Sequence, residues 1–378
     1  MSSRPAPRPL PHPLGRAEGR GAADGGALGE GAPGCHQDLP RPLEARGGAG
    51  EAEPGGLVCR RPGLVGLEGG GSDPGDGGEA VRANFECLDK IVELIKESKP
   101  PAHGPVSGPA DGHKAVQNML QLLVREWTQE GEVERKECHE RIHAALDGHL
   151  KPQLESARAE GKPPPRVLVP GSQMGRLLYE VCARGYDCEA CEARPLPYFG
   201  GELVRRHGAQ IGAHRIQPFA LNTCNRFKKG DHVRVTPVPD VEVPVGSLPT
   251  AALGDLIKLY DTAPSRGSFD AVATAFTLDT SSNIFRFIRT VAHVVREGGL
   301  WVNFGPLCYD SGHDEARGSS MELSWEELKH AVSGSQLWWD FVDSFHAANA
   351  ESMMQIQYSC VYFKAVRKAN PSLGIGGS

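Results

Sequence analysis

The first 84 residues contain no Phe, Tyr or Trp, although the chain of 378 residues has 12 Phe, 7 Tyr and 5 Trp. Residues 1–80 also hold 21 of the 47 glycines and 11 of the 30 prolines. Such a segment cannot bury enough apolar surface to offset the conformational entropy that folding removes. We therefore predict disorder for residues 1–80 and for the short tail 371–378, a helical region over 81–161, and the main domain over 162–370.

Further absences exclude whole classes of protein. No run of about 18 apolar residues occurs, so the sequence predicts no membrane span. The N-terminus has no apolar segment typical of a secretory signal, whereas a transit peptide stays open because the first acidic residue is Glu18. The net charge of −6 argues against a general nucleic-acid binder. Ten scattered cysteines do not resemble a disulfide framework and favour a reducing location, in the cytoplasm, the nucleus or both.

The pattern of apolar residues predicts helices first and then alternating strands and helices. Helical spacing runs from Phe85 to the prolines at 100 and 101, from about 114 to 128, and from about 132 to 150, where Pro152 should end the helix. Beyond residue 165, near-continuous apolar strands alternate with helices, which is typical of a doubly wound, mostly parallel sheet in an α/β fold. The predicted strands are 166–171, 187–193, 269–279, 300–306, 339–345 and 358–366, and the predicted helices are 174–184, 198–207, 284–295 and 326–332, the last behind the cap candidate Ser324. Residues 208–265 are weakly periodic and are interpreted as a long insertion.

A glycine turn and two acidic residues indicate a nucleoside-containing cofactor. Gly171 follows the first strand, but the dinucleotide fingerprint fails at Gln173 and Arg176, so a cofactor without a pyrophosphate, such as S-adenosylmethionine, fits better. Glu192 ends the next strand, 21 residues after Gly171, where an acid accepts hydrogen bonds from ribose hydroxyls. Asp255 precedes a buried strand and is placed to reach an adenine amino group. Taken singly, each of these residues is better explained as a turn glycine or a solvated surface acid, and only their combination with the strand indicates cofactor binding.

Several separate segments resemble the carnosine N-methyltransferase family. They are LLVREWTQEGEVERKEC, RVLVPGSQMGRL, PDVEVP, FDAVATAFTLDT, GGLWVNFGPLCY, MELSWEELKHAV and ESMMQIQYSCVYF, and the resemblance spans roughly residues 80–368. It implies a Rossmann-like methyltransferase domain that uses S-adenosylmethionine to methylate an imidazole nitrogen. The implied substrate is carnosine, which would become anserine, or a related histidine in a peptide or protein.

The resemblance implies a set of cofactor-binding positions. They fall on Arg125, Gly171, Glu192, Asp255 and Leu256, the last standing where the family has an aromatic residue. Other positions around them differ from the family pattern, namely Leu122, Gln173, Cys191, Ala193 and Arg194.

The resemblance places the substrate on Asp279, Asp310, His346 and Tyr358, with Asp279 as the catalytic residue. A carboxylate bonded to the imidazole N–H fixes the tautomer and stabilises the imidazolium that methylation forms. By sequence alone, Asp279 is equally well the N-cap of a helix beginning near Ser282. Asp310 and His346 replace a histidine and a tyrosine of the family. Two interpretations are open: they form a polar pair, or Asp310 is simply a loop acid and His346 a strand-end residue. Tyr358 either binds the polar end of the substrate or is a core aromatic.

Other functions stay open. Changes at Gln173, Leu122 and Ala193 fit a binding module of the same fold whose cofactor site has decayed, and a nicotinamide-dependent dehydrogenase is the second alternative. Cys188 and Cys191 have a C-x-x-C spacing, but no second pair at zinc spacing follows, so we predict no metal site. A homodimer stays open.

The composition of the N-terminal segment generates a first prediction. Deleting residues 1–80 should leave folding and cofactor binding intact, because the segment lacks the apolar residues needed to pack on a domain. Thermal unfolding of the full-length and shortened chains measures this. A large fall in melting temperature on deletion would show that the segment packs on the folded part.

Overall fold

The parallel sheet organises the part of the chain that the computed structural model describes, which is residues 75–98, 112–220, 222, 224–228, 230–281, 283–309, 321–332, 336–346, 349 and 351–368. The helices are α1 (Gly75–Glu97), α2 (Gly112–Trp127), α3 (Glu132–Glu160), α4 (Arg176–Ala183), α5 (Pro195–His207), α6 (Leu256–Tyr260), α7 (Ile284–Val294) and α8 (Trp325–Val332). The strands are β1 (Arg166–Pro170), β2 (Asp187–Glu192), β3 (His214–Ile216), β4 (Thr236–Val238), β5 (Ala252–Leu253), β6 (Phe269–Ala275), β7 (Val295–Gly305), β8 (Gln336–His346) and β9 (Ile356–Val366). Most of residues 1–80, all of 371–378 and Asp310 lie outside these ranges, so what the sequence indicates for them stays a prediction.

Seven strands form the main sheet in the order β5-β2-β1-β6-β7-β9-β8. All neighbouring pairs from β5 to β7 are parallel, and β9 alone runs against its neighbours β7 and β8. The chain winds outward from β1 to β5 in one direction and from β6 to β7 in the other, where β8 forms the edge and the later strand β9 inserts between β7 and β8. This is the doubly wound, mostly parallel sheet that the sequence predicted, and its switch point lies between β1 and β6.

Both faces of the sheet are buried, because alternate residues of each central strand enter different cores. Val167 and Val169 of β1 join the core beneath α1 to α5, whereas Leu168 between them joins the core beneath α6 to α8. In β7, Val302 and Trp301 divide in the same way. This double burial explains why the central strands are almost continuously apolar. None of the helices in the described ranges is both long and apolar enough to cross a membrane.

Helix α3 continues to Glu160, about two turns beyond the predicted stop at Pro152. The prediction was wrong because the buried stripe Leu146, Leu150 and Leu154 runs past the proline and keeps packing on the core. Pro152 lies on the exposed face, where water can hydrate the carbonyl of Gly148 that loses its helical donor. The helix ends instead at Gly161, which has φ +64.

The interpretation of residues 208–265 as one insertion was wrong in part. Two short elements of this stretch, β5 and α6, belong to the main sheet and its covering layer, since β5 pairs with the end of β2. The rest lies outside the main sheet, and in it β3 and β4 pair as a small antiparallel sheet whose residues Ile216 and Val238 join the core beneath α1 to α5. A strand of two residues leaves no alternation to detect, so periodicity could not reveal β5.

A buried ion network ties the helical layer to the turn after β1. Asp240 lies at its centre and accepts hydrogen bonds from Arg176 (2.5 Å) and Arg135 (2.8 Å). Arg135 also donates to the backbone oxygens of Arg125 and Thr128, and the Trp127 indole donates to the oxygen of Met174. The end of α2, the start of α4 and the loop around Asp240 therefore share one set of polar contacts.

This network predicts a large loss of stability for Asp240→Ala. The substitution removes the shared carboxylate of two arginine side chains that are only 5% and 9% exposed, and breaking a buried pair typically costs about 3–5 kcal/mol. The free energy of unfolding from a denaturant titration measures the effect. Glu242→Ala is the matched control: Glu242 is an exposed acid in the same loop, and a surface substitution changes stability by about 0.5 kcal/mol or less. Equal effects of the two substitutions would contradict the role of Asp240.

Candidate active site at the carboxyl edge of the sheet

The turn after β1 approaches the turn after β6 so closely that only glycine fits. Gly171 has φ +62, and a Cβ atom placed there would lie 2.3 Å from Oγ1 of Thr277. The Thr277 hydroxyl is held by the oxygen of Ala275 at 2.8 Å. The glycine predicted at this position is thus required by the backbone, and the contact joins the two strands at the switch point.

Glu192 lies under the same turn. The residue is 2% exposed, and its carboxylate accepts hydrogen bonds from the backbone N–H groups of Gln173 and Arg194, both at 2.9 Å. The carboxylate therefore faces the glycine turn, as expected of an acid that binds ribose hydroxyls. Gln173, which replaces a glycine of the family, has φ +52 and a buried side-chain oxygen with no hydrogen-bond partner among the described residues. A left-handed backbone costs a residue with a Cβ atom of the order of 1–2 kcal/mol.

Asp255 and Leu256 lie at the next strand end. The Asp255 carboxylate caps α6, because Oδ1 accepts from the N–H groups of Ile257 (2.9 Å) and Lys258 (3.4 Å). The strand end is tied to β2 through a hydrogen bond from the Gly254 N–H to the oxygen of Glu192. Leu256 is buried in the core beneath α6 to α8. The two predicted cofactor positions are thus placed beside Glu192.

Arg125 reaches the same edge from the last turn of α2. Its guanidinium carbon lies 4.5 Å from the centre of the Phe276 ring, and Phe276 is the first residue after β6. The side chain is 14% exposed, and its nearest carboxylate is that of Glu126, with Nε to Oε1 at 3.7 Å. Four predicted cofactor positions, Arg125, Gly171, Glu192 and Asp255, are therefore carried by elements that meet at the carboxyl ends of β1, β2, β5 and β6.

Asp279 lies two residues beyond the contact with Gly171. It is 7% exposed, and its Oδ2 accepts a hydrogen bond from the Cys308 N–H at 2.9 Å, which links the exits of β6 and β7. The alternative interpretation of Asp279 as a helix cap was wrong. Asn283 caps α7 instead, because its side chain accepts from the N–H of Arg286 at 2.9 Å. The Asp279 carboxylate is thus held at the strand end, beside the predicted cofactor positions.

Of the other predicted substrate residues, the structure describes the side chain of Tyr358 but not those of Asp310 and His346. Tyr358 lies in β9, opposite Ser344 of β8, and its half-buried ring packs against the core beneath α1 to α5. His346 ends β8 opposite Ile356, but its side chain lies outside the described residues, as does Asp310. The proposed pairing of Asp310 with His346 stays a prediction.

The C-x-x-C pair cannot act as a unit. Cys188 and Cys191 are both buried, but Cys188 enters the core beneath α1 to α5 and Cys191 the opposite core. Residues three apart in a strand point to opposite faces, so the two thiols lie on different sides of the sheet. Burial also raises the pKa of the Cys191 thiol above its usual range. The two cysteines therefore pack in separate cores and do not form one site.

Sequence reasoning missed three features of this edge. It gave no role to Phe276 or to the backbone N–H of Cys308, because neither residue type signals chemistry in a strand exit. It also gave no role to Asp240. The available signal was an acidic residue between two prolines, in a chain with arginines that could be buried elsewhere. Each role becomes visible only when distant segments are brought together.

A family model and similar sequences agree on the family to which this chain belongs. The model of the family "Carnosine N-methyltransferase" matches residues 104–369. The mouse (Mus musculus) carnosine N-methyltransferase is 32% identical over 264 residues, which cover 67% of this chain and 62% of that protein. The proteins of that name from Dictyostelium discoideum and Schizosaccharomyces pombe are 28% identical and are covered over 54% and 70% of their lengths. The chain thus spans about three fifths of the mouse relative, and it belongs to the carnosine N-methyltransferase family.

Proposed function

We propose that this chain is an S-adenosylmethionine-dependent methyltransferase that methylates an imidazole nitrogen of carnosine, giving anserine. The observation that carries the proposal is the position of Asp279. Its carboxylate is fixed by the Cys308 N–H in the turn that touches Gly171, and Gly171 in turn lies above Glu192. A substrate-orienting acid and a ribose-binding acid thus flank a single backbone contact.

The residues at this edge fit S-adenosylmethionine. Gly171 leaves room for close backbone approach. Oε1 of Glu192 accepts from both the N–H and the Nε of Arg194, whereas Oε2 accepts from the Gln173 N–H alone among the described residues and keeps acceptor capacity for a ribose hydroxyl. Arg125 is the one cation among the five predicted cofactor positions, so it is the natural partner of the methionine carboxylate. When bound, the cofactor supplies an electrophilic methyl group on its sulfonium.

The chain's own contribution is to orient the imidazole. A neutral imidazole has one N–H and one nitrogen with a lone pair. Asp279 accepts the hydrogen bond from the N–H, which leaves the lone pair of the other nitrogen to accept the methyl group. As the ring becomes an imidazolium, the carboxylate stabilises the new positive charge. Asp279 is buried, so this stabilisation acts in a medium of low dielectric constant.

The substrate range is part of the proposal. A histidine-containing dipeptide is the simplest substrate, and a histidine in a peptide or protein presents the same ring to Asp279. Tyr358 would bind the polar end of the substrate through its hydroxyl. A reducing compartment, the cytoplasm or the nucleus, fits the cysteines, since no disulfide joins any two of them within the described ranges.

Asp279→Asn separates orientation from packing. Asn can keep the hydrogen bond from the Cys308 N–H through its oxygen, but its NH₂ group then faces the imidazole N–H as a second donor. We expect kcat to fall by roughly 10²–10³-fold, while the affinity for S-adenosylhomocysteine and the melting temperature stay close to wild type. Steady-state kinetics with carnosine and calorimetric titration measure both quantities.

Asp261→Asn is the matched control for this substitution. Asp261 follows α6 and contacts Arg286 and Arg289 at 3.5 and 3.7 Å, away from the strand exits. It should keep wild-type turnover. Full activity of Asp279→Asn on carnosine and on histidine peptides would mean that the imidazole binds elsewhere.

Glu192→Ala tests the cofactor site separately. Losing the acceptor of ribose hydroxyls, a charge-assisted interaction of roughly 1.5–3 kcal/mol, should lower the affinity for S-adenosylhomocysteine by about tenfold or more. Calorimetric titration measures it, and Asp187→Ala, an exposed acid at the other end of β2, should bind like wild type. Unchanged affinity of Glu192→Ala would contradict the site, and heat on titrating NADPH would favour the dehydrogenase alternative.

A further inference from the structure

The Arg125 side chain is held in place, but its N–H groups keep hydrogen-bonding capacity. Among the described residues it donates no hydrogen bond, and its one ion contact, to Glu126, is 3.7 Å long. Its backbone is nevertheless fixed, because Arg135 donates to the Arg125 oxygen at 2.7 Å. A planar cation with five N–H donors is thus anchored at its base and has hydrogen-bonding capacity at its tip.

What holds the tip is the ring of Phe276. The guanidinium carbon lies 4.5 Å from the ring centre, within the range of a cation–π contact. The ring is supported from below by Phe304, at 5.8 Å between centres, and Phe304 is fully buried. The Phe276 N–H donates to the oxygen of Phe304 at 2.8 Å, which fixes the backbone at the same point.

The backbone of Phe276 is strained. Its φ is +50, in the left-handed region that a bulky residue rarely adopts and that costs of the order of 1–3 kcal/mol. Such a conformation persists only where the surroundings enforce it, and here it comes directly after β6, where a regular strand would place the ring differently. The strain therefore coincides with the contact between the ring and Arg125.

We propose that Phe276 is a positioning residue for the cofactor: its ring presents the Arg125 guanidinium to the carboxylate of the amino-acid end of S-adenosylmethionine. The inference rests on the proposed function and adds to it the residue that prepares the carboxylate site. A flat apolar surface accepts the face of the guanidinium and leaves the N–H groups at its edge directed outward, toward a bidentate acceptor. A preoriented arginine also loses less side-chain entropy when the ligand binds.

The test compares two ligands that differ in the amino-acid end. S-adenosylhomocysteine has the carboxylate, and 5′-methylthioadenosine lacks it. Phe276→Leu removes the ring face and keeps a bulky side chain with the same cost at positive φ. It should weaken binding of S-adenosylhomocysteine by roughly three- to thirtyfold and leave 5′-methylthioadenosine unaffected. Phe276→Tyr, which keeps the ring, should recover most of the loss.

A double-mutant cycle with Arg125→Ala shows whether Phe276 acts through the arginine. If it does, Phe276→Leu changes the affinity for S-adenosylhomocysteine no further in the Arg125→Ala background. The inference is overturned if Phe276→Leu weakens both ligands equally, if it weakens neither, or if its effect adds fully to that of Arg125→Ala. A wild-type protein that binds neither ligand would instead refute the proposed function, so the two failures are distinguishable.

Discussion

The contact between Gly171 and Thr277 is the constraint on which the rest of the site depends. It brings the backbone of the turn after β1 against the Thr277 side chain in the turn after β6, so the two halves of the doubly wound sheet meet where position 171 has no side chain of its own. Glu192 lies on one side of this contact through its hydrogen bond from Gln173, and Asp279 lies two residues away on the other. Any side chain at position 171 would separate the halves and move both acids. The geometry expected to bind a nucleoside and the geometry expected to orient an imidazole are therefore set by one backbone approach.

The helical layer is coupled to this contact by charge rather than by apolar packing alone. Asp240 joins Arg135 of α3 to Arg176 of α4, and Arg135 also holds the end of α2. A buried network of this kind adds little net stability compared with an apolar core, but it fixes the relative position of the elements it joins. Helix α2, whose end this network fixes, carries Arg125. The network therefore fixes the position of the arginine relative to the glycine turn, as the proposed cofactor site requires.

The architecture was predictable because it depends on local pattern, whereas parts of the site depend on long-range contacts. Double burial makes the central strands continuously apolar, and that signal identified them. The end of α3 was predicted wrongly at Pro152, because the missing proline N–H was given more weight than the apolar stripe that continues to Leu154. The positions of Arg125 and Asp279 followed from the family resemblance, which carries residue positions but no conformations. Glu192, in contrast, was already indicated by its spacing from Gly171. The left-handed backbone of Phe276 and the shared carboxylate of Asp240 require knowledge of which distant segments meet, and no window of sequence contains that.

Backbone strain at this edge supports the proposed active site over the alternative of a decayed one. Four non-glycine residues in the described part of the chain have positive φ: Asn225, a residue type that tolerates it, and Gln173, Phe276 and Tyr309, which follow β1, β6 and β7. These strands are neighbours, so the strain is concentrated at one edge of the sheet. Each conformation costs of the order of 1–3 kcal/mol, which a fold freed from function could recover by substitution to glycine or by relaxing the turn. Gln173 is the clearest case, since it holds a left-handed turn that glycine would adopt at lower cost. The turn keeps this conformation in spite of the Cβ atom, which fits a backbone position that the proposed cofactor site needs.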